Sequence, residues 1–388
     1  MIRLIALMFA PYAFATGAFV FAGVLGPMAE DLGVSLSAAG QLQSAFALAC
    51  VFGGPVLVTL TARFGRKALL LVALGGLCIL NGLSAVAPDY WNLLIARIAA
   101  GMLGAMTLPM ASTIAVSLVG PERRARALAI VYAGISLAFL SGIPLGTMAG
   151  VAYGWAASFW LASIMCAVAG LLVLLLVPAV PNPPAPAGGA FAKVLVWPTT
   201  GYLFVTLLAF AAIFTVIGYV GPVVTRLTGF TGGGIGALQA LTGLGSLMGL
   251  VIGTRLVESG ARSPLVMLFV TIAVAQAVFA IGLFGGAQGA LGLAVAIVAM
   301  ALGSSALFGT APIVQSRLAE AAGPAASLAF ALNGSMVYFG QGLGVVLGGL
   351  MLAGWGLQSV SLAGILCAVI GIVLALVLRR QLLAQTAT

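Results

Sequence analysis

Histidine is absent from all 388 residues, and only six side chains are acidic: Glu30, Asp31, Asp89, Glu122, Glu258 and Glu320. The first absence removes the commonest general base and metal ligand. Charged residues of both signs make up 5% of the chain, against roughly a quarter in a soluble domain. So few charges cannot cover a surface facing water, so the solvent for most of the chain must be lipid. Cysteine is scarce too. Cys50, Cys78, Cys166 and Cys367 each lie in an apolar run, none at metal-ligand spacing, and no metal site is expected. No Gly-x-x-x-x-Gly-Lys-Ser/Thr loop is present, which argues against nucleotide-driven work. With no histidine, no Cys–His pair and no acid inside an apolar run, a membrane-embedded enzyme has nothing to act with. No cofactor is expected either.

What fills the chain is apolar: 63% of it is hydrophobic, and mean hydropathy is +1.27. Breaks divide it into twelve stretches, each near the length of about 20 residues that a helix needs to cross a bilayer. The pattern predicts helices over 4–26, 38–61, 68–87, 91–118, 127–150 and 156–178, then over 199–225, 233–256, 264–285, 289–312, 327–353 and 357–378. Met1-Ile2-Arg3 and the run behind it could pass for a signal peptide, but the run is long enough to span and is read as a retained first helix.

Fifteen bases against six acids give a net charge of +9. The bases form short clusters between apolar runs, not the continuous basic stripe of a nucleic-acid face, so no nucleic-acid partner is expected. If the helices alternate, Arg3, Arg63, Arg66, Lys67, Arg123, Arg124, Arg126, Lys193, Arg255, Arg262, Arg317, Arg379 and Arg380 share one side. Only Arg226 falls on the other, and Arg97 lies inside the fourth stretch. Bases collect on the cytoplasmic side. Both termini are therefore expected in the cytoplasm, and the chain in a bacterial cytoplasmic (inner) membrane as a multi-pass protein. Trp91, Trp155 and Trp355 at outer helix ends and Trp197 at an inner one fit an interfacial aromatic belt.

The halves repeat. Gly142-Ile143-Pro144-Leu145-Gly146, followed by Gly150, recurs as Gly340-Gln341-Gly342-Leu343-Gly344, followed by Gly348, at a constant spacing near half the chain. The expected plan is an all-α integral membrane protein. Its N-terminal six-helix half is 1–180, its Pro-rich cytoplasmic link 181–198 and its pseudo-symmetric C-terminal half 199–388.

In this order and spacing the motifs resemble the major facilitator superfamily, in its twelve-helix drug/proton antiporter branch. The arabinose-efflux and purine-efflux types are the most similar. The loop signature between helices 2 and 3 of that family survives as Leu60, Arg63, Gly65, Arg66 and Lys67, with Val58 in place of its first Gly and Ala62 in place of its Asp. The helix-4 signature appears as Arg97, Gly101 and Gly104, and the helix-5 antiporter signature as Gly134, Gly142, Pro144 and Gly146. The resemblance implies a major facilitator fold. It also implies a secondary transporter working by alternating access around a midplane cavity, an antiporter serving efflux and drug resistance.

On that reading Arg63, Gly65, Arg66, Lys67, Gly134, Gly142, Pro144, Gly146 and Glu258 are candidates for gating. The bases of the loop could equally serve topology alone, and the glycines packing alone. Arg97, Tyr219, Gln239, Asn333, Tyr338 and Gln341 are candidates for solute binding or translocation, with Thr215, Thr242 and Ser246 nearby. Arg97 is an intramembrane ionisable residue, but two turns from a helix end it could also snorkel to the interface. The chain departs from the family in its acids: where many members carry a helix-1 carboxylate, it has Ala18. The expected partners are a small neutral or anionic metabolite or drug, a proton in exchange for it, and membrane lipid, with the chain a monomer. An uncoupled facilitator is the alternative, and a non-transporting sensor a more remote one.

Overall fold

The computed structural model describes residues 1–61, 64–180 and 194–386. Among these residues twelve helices are long and apolar enough to cross a membrane. In the first half they are α1 Ile2–Asp31, α2 Leu36–Gly54, α3 Arg66–Ala85, α4 Tyr90–Ser117, α5 Arg126–Tyr153 and α6 Ala156–Leu176. In the second they are α7 Thr199–Ile217, α8 Gly233–Glu258, α9 Pro264–Phe284, α10 Gly289–Ala322, α11 Leu328–Trp355 and α12 Leu357–Gln381. The number and order match the hydropathy reading. Two details differ. The seventh helix stops at Ile217, and a short helix Val220–Thr228 follows it. The tenth runs through Pro312 as far as Ala322, so Arg317 lies on the helix and not after it. Arg63 and residues 181–193 of the expected link lie outside the described residues.

The chain divides into two compact units: Met1–Ala185 with Phe230–Gly243, and Pro186–Gly229 with Leu244–Thr388. In the first, α1 packs on α5 and α6, α2 on α4, and α3 on α4 and α6. In the second, α7 packs on α10, α11 and α12, and α9 on α10 and α12. Large apolar side chains such as Ile79, Leu175, Ile281 and Leu350 are exposed, as lipid-facing positions should be.

Helix ends follow local chemistry. Asp89 caps α4: its Oδ1 accepts the Asn92 backbone N–H at 2.9 Å, and Oδ2 accepts the Asn92 amide at 2.8 Å. Those bonds hold its carboxyl below the usual range. Helices α5 and α11 both stop at a glycine with positive φ, Gly154 at 87° and Gly356 at 85°, a region costly for side chains with a Cβ.

Candidate functional site

The first helix of each unit is broken at depth. In α1 regular helix runs over Ile2–Phe19, gives way to a 3-10 turn at Ala22–Val24 and resumes at Leu25–Asp31. Such a break leaves last-turn carbonyls without a backbone donor, at the negative end of a helix dipole. Arg97 fills the gap. Its Nη1 donates to Gly17 O at 2.9 Å and its Nη2 to Ala18 O at 3.0 Å. The guanidinium is fully buried, with Phe46, Phe21 and Phe159 ring centroids 4.2, 5.0 and 5.6 Å away. Charge-assisted bonds, a helix C-terminus and aromatic faces compensate a buried cation where no carboxylate is paired with it. The side chain therefore turns inward and does not snorkel to the interface. Gly101 and Gly104 complete the arrangement: a Cβ at Gly101 would overlap Phe46 O, and one at Gly104 would overlap the Phe14 ring. These glycines let α2 and α1 close around the arginine.

In the second unit neutral side chains tie α7 to its neighbours instead. Ala212 O accepts from Gln276 Nε2 at 2.7 Å and from Thr215 Oγ1 at 3.0 Å. Tyr219, fully buried at the break between α7 and the short helix, donates its hydroxyl to Val345 O of α11 at 3.1 Å.

Each unit also carries a seam of small residues on its broken helix. A Cβ placed at Gly134 would overlap Met8 O, at Gly142 the Thr16 side chain, and at Gly146 the Val20 side chain. The matching positions of α11 meet α7: Gly340 lies on Leu207 O, Gly344 on Ala211 O and Gly348 on Thr215 O. Close backbone approach of this kind is how small residues hold membrane helices together. Asn333, one face with these glycines, accepts from Thr206 Oγ1 at 2.7 Å. Gln341 is buried beside the seam, and Tyr338 is half-buried.

Helix α5 is irregular at the seam. Ala138–Gly142 form a single π turn, followed at once by Pro144. Proline has no N–H, so the carbonyl four residues before it is freed, and π turns cluster at functional positions. At this turn Ser141 Oγ donates to Leu137 O at 2.9 Å and lies 3.3 Å from the Tyr12 hydroxyl of α1, both side chains part-buried. The opening of α8, which belongs to the first unit, rests on the same stretch of α5. Gly236 lies against Pro144 O and Gly243 against the Leu140 backbone, and Thr147 Oγ1 pairs with Gln239 Oε1 at 2.6 Å.

The loop signature is less connected. Lys67 Nζ donates to Leu174 O near the end of α6 at 2.9 Å. Arg66 is nine-tenths buried, its Nη1 making only a 3.8 Å contact with Met110 Sδ. Gly65 caps α3 in extended conformation. Glu258, at the end of α8, is exposed and in no ion pair among the described residues. All six acids of the chain are described, and all six are exposed.

The chain matches the model of the Major Facilitator Superfamily over residues 5–328. It belongs to that family. It is 29% identical to the inner membrane transport protein YdhP of Escherichia coli K12, covering 97% of this chain and 96% of that one. It is 32% identical to a chloramphenicol resistance protein of Streptomyces lividans over 63% of this chain and 64% of that one. It is 24% identical to a probable sugar efflux transporter of Pasteurella multocida, covering 96% and 91%. Among solved structures, a bacterial homolog of the human lysosomal transporter Spinster superposes with a TM-score of 0.81 at 16% identity, covering 98% of this chain and 97% of that one. The D-xylose-proton symporter superposes at 0.70 with 19% identity, covering 95% and 96%. This facilitator is thus a multi-pass membrane transporter with efflux-type relatives, and not an enzyme.

Sequence reasoning found Arg97, the glycines of both seams and Asn333, but not their partners. It missed Tyr12, Ser141, Thr147, Thr206 and Gln276. Each is a lone polar residue in an apolar run, a signal that was present in the sequence but shared with many residues that only bond their own helix.

Proposed function

We propose that this facilitator exports a small neutral or anionic solute by alternating access, from a bacterial cytoplasmic membrane with both termini in the cytoplasm. The orientation rests on the one-sided distribution of bases. The solute class rests on one observation: the only fully enclosed ionised side chain among the described residues is Arg97, a cation. A cationic solute would meet no compensating carboxylate there, whereas a neutral or anionic one meets a positive potential strengthened by low dielectric. The solute-facing polar groups we assign are hydroxyls and an amide: Tyr12 and Ser141 in the first unit, Tyr338 and Gln341 in the second. Gly134, Gly142, Pro144 and Gly146 act as the moving seam. Thr147 and Gln239 act as a polar lock on it, so Gln239 serves movement more than binding.

Proton-linked antiport is the coupling that the family resemblance brings. The exposure of all six acids and the absence of histidine favour the second reading, a facilitator whose solute moves without a protein-borne proton. Relatives named for chloramphenicol resistance and sugar efflux supply the first probes. Proteoliposomes preloaded with unlabelled chloramphenicol, a pentose, a purine or an organic anion are given the labelled solute outside. We expect saturable counterflow for at least one of them, and its loss in Gly142→Leu. Counterflow by the Gly142→Leu protein at the wild-type rate would remove the seam from the mechanism. Accumulation of a permanently cationic dye in preference to all four would overturn the solute class.

A further inference from the structure

Among the described residues Arg66 is a cation with no acidic partner. It opens α3, its side chain is nine-tenths buried, and its Nε is enclosed with no acceptor. Its one contact, Nη1 to Met110 Sδ at 3.8 Å, is to a weak acceptor. The only ion pair among the described residues is Arg317–Glu320, and the one acid beyond the near end of α4, Glu122, is exposed and unpaired. A buried guanidinium in this condition is costly unless an anion reaches it.

The backbone around it asks for the same thing. Gly65 is the N-cap of α3 and offers no side chain, the first turn holds no acid, and the first backbone bond back to the cap is Leu69 N–H to Gly65 O. The N–H groups of Arg66, Lys67 and Ala68 thus stand at the positive end of a 20-residue helix without helical acceptors. In the family signature an Asp stands where this chain has Ala62, so this stretch of sequence lacks that carboxylate. A helix of this length reaches about 30 Å, the thickness of the hydrocarbon core, which sets its first turn at the level of lipid headgroups.

We propose that the start of α3 binds a phosphate group, held by the Arg66 guanidinium and the free N–H groups of the first turn. The phosphate replaces the missing carboxylate. Guanidinium forks suit phosphate oxygens, and helix N-termini are anion sites. The phosphate comes either from an anionic phospholipid headgroup or from solution.

The test is thermal unfolding of the full chain, purified in lipid-free maltoside, with added phosphatidylglycerol, phosphatidylcholine or inorganic phosphate. Phosphatidylglycerol or inorganic phosphate should raise the midpoint, and Arg66→Gln should lose the rise, while Arg317→Gln keeps it. A rise with inorganic phosphate equal to that with phosphatidylglycerol assigns the site to a free anion. A rise with phosphatidylglycerol alone assigns it to a headgroup. If Arg66→Gln does not fold, Ala62→Asp takes its place: the restored carboxylate should stabilise the lipid-free protein and abolish the response. No rise in the wild type, or an undiminished rise in folded Arg66→Gln or, failing that, in Ala62→Asp, would overturn the proposal.

Discussion

Arg97 shows how a buried charge can hold a broken helix. It caps the two carbonyls that the break in α1 exposes, so it fixes the break itself. Lysine carries the charge but cannot span Gly17 O and Ala18 O with a planar fork. Arg97→Lys should therefore insert and fold with a lowered melting temperature and little transport. Arg97→Ala leaves both carbonyls bare, and about 1–3 kcal/mol of destabilisation is expected for each buried acceptor left without a donor. Equal melting temperatures for wild type and Arg97→Ala in a detergent unfolding assay would contradict the capping role. Asp89 makes a smaller, pH-dependent contribution. Its folded pKa is depressed by the Asn92 bonds, so its stabilisation is present above the unfolded value of about 3.9 and fades as pH falls through the lower folded value. Asp89→Asn, which keeps an acceptor without a charge, should flatten the acid limb of the stability profile. An unchanged acid limb would mean the cap does not titrate with folding.

At the scale of the helix, the two seams make the same demand from different chemistry. Gly142 approaches the Thr16 side chain and Gly344 approaches Ala211 O. The Thr16 hydroxyl is buried with no partner among the described residues, so Thr16→Ala should cost little and could even stabilise. Gly142→Ala alone should lose about 1–3 kcal/mol by overpacking, and adding Thr16→Ala should recover part of it, a coupling that a double-mutant cycle reads directly. Gly344→Ala has backbone as its obstacle and should find no such single-residue rescue. Strict additivity of the Gly142 and Thr16 changes would show that the two helices do not meet as described. The seams were legible in the sequence because the glycine pattern recurs at constant spacing. The twelve spans were legible because lipid tolerates almost no charge. The π turn at Ala138–Gly142 and the stop at Ile217 were not, since both depend on how neighbouring helices re-satisfy freed backbone groups, which no local pattern records. Arg97 stood out as an intramembrane base, yet its role was open between solute contact and snorkelling until Gly17 and Ala18 appeared beneath it.

For the whole molecule, the decisive feature is where negative charge is missing. A transporter that moves protons through itself needs a group whose protonation changes at membrane depth. This chain has no histidine, and its six carboxylates are all exposed. On the proposed reading, the twin broken helices and glycine seams supply the mechanics of alternating access without it, and the solute gradient or the solute's own charge supplies the drive. The most direct test is substrate-driven pH change in proteoliposomes holding an internal pH dye, with a solute shown to exchange and with and without an imposed proton gradient. Solute flux should proceed without stoichiometric proton movement and ignore the imposed gradient, as uncoupled transport requires. Proton movement locked to the flux of an uncharged solute would contradict it, and would require one of the exposed acids, Asp31 or Glu258 first, to enter the membrane in a different conformation.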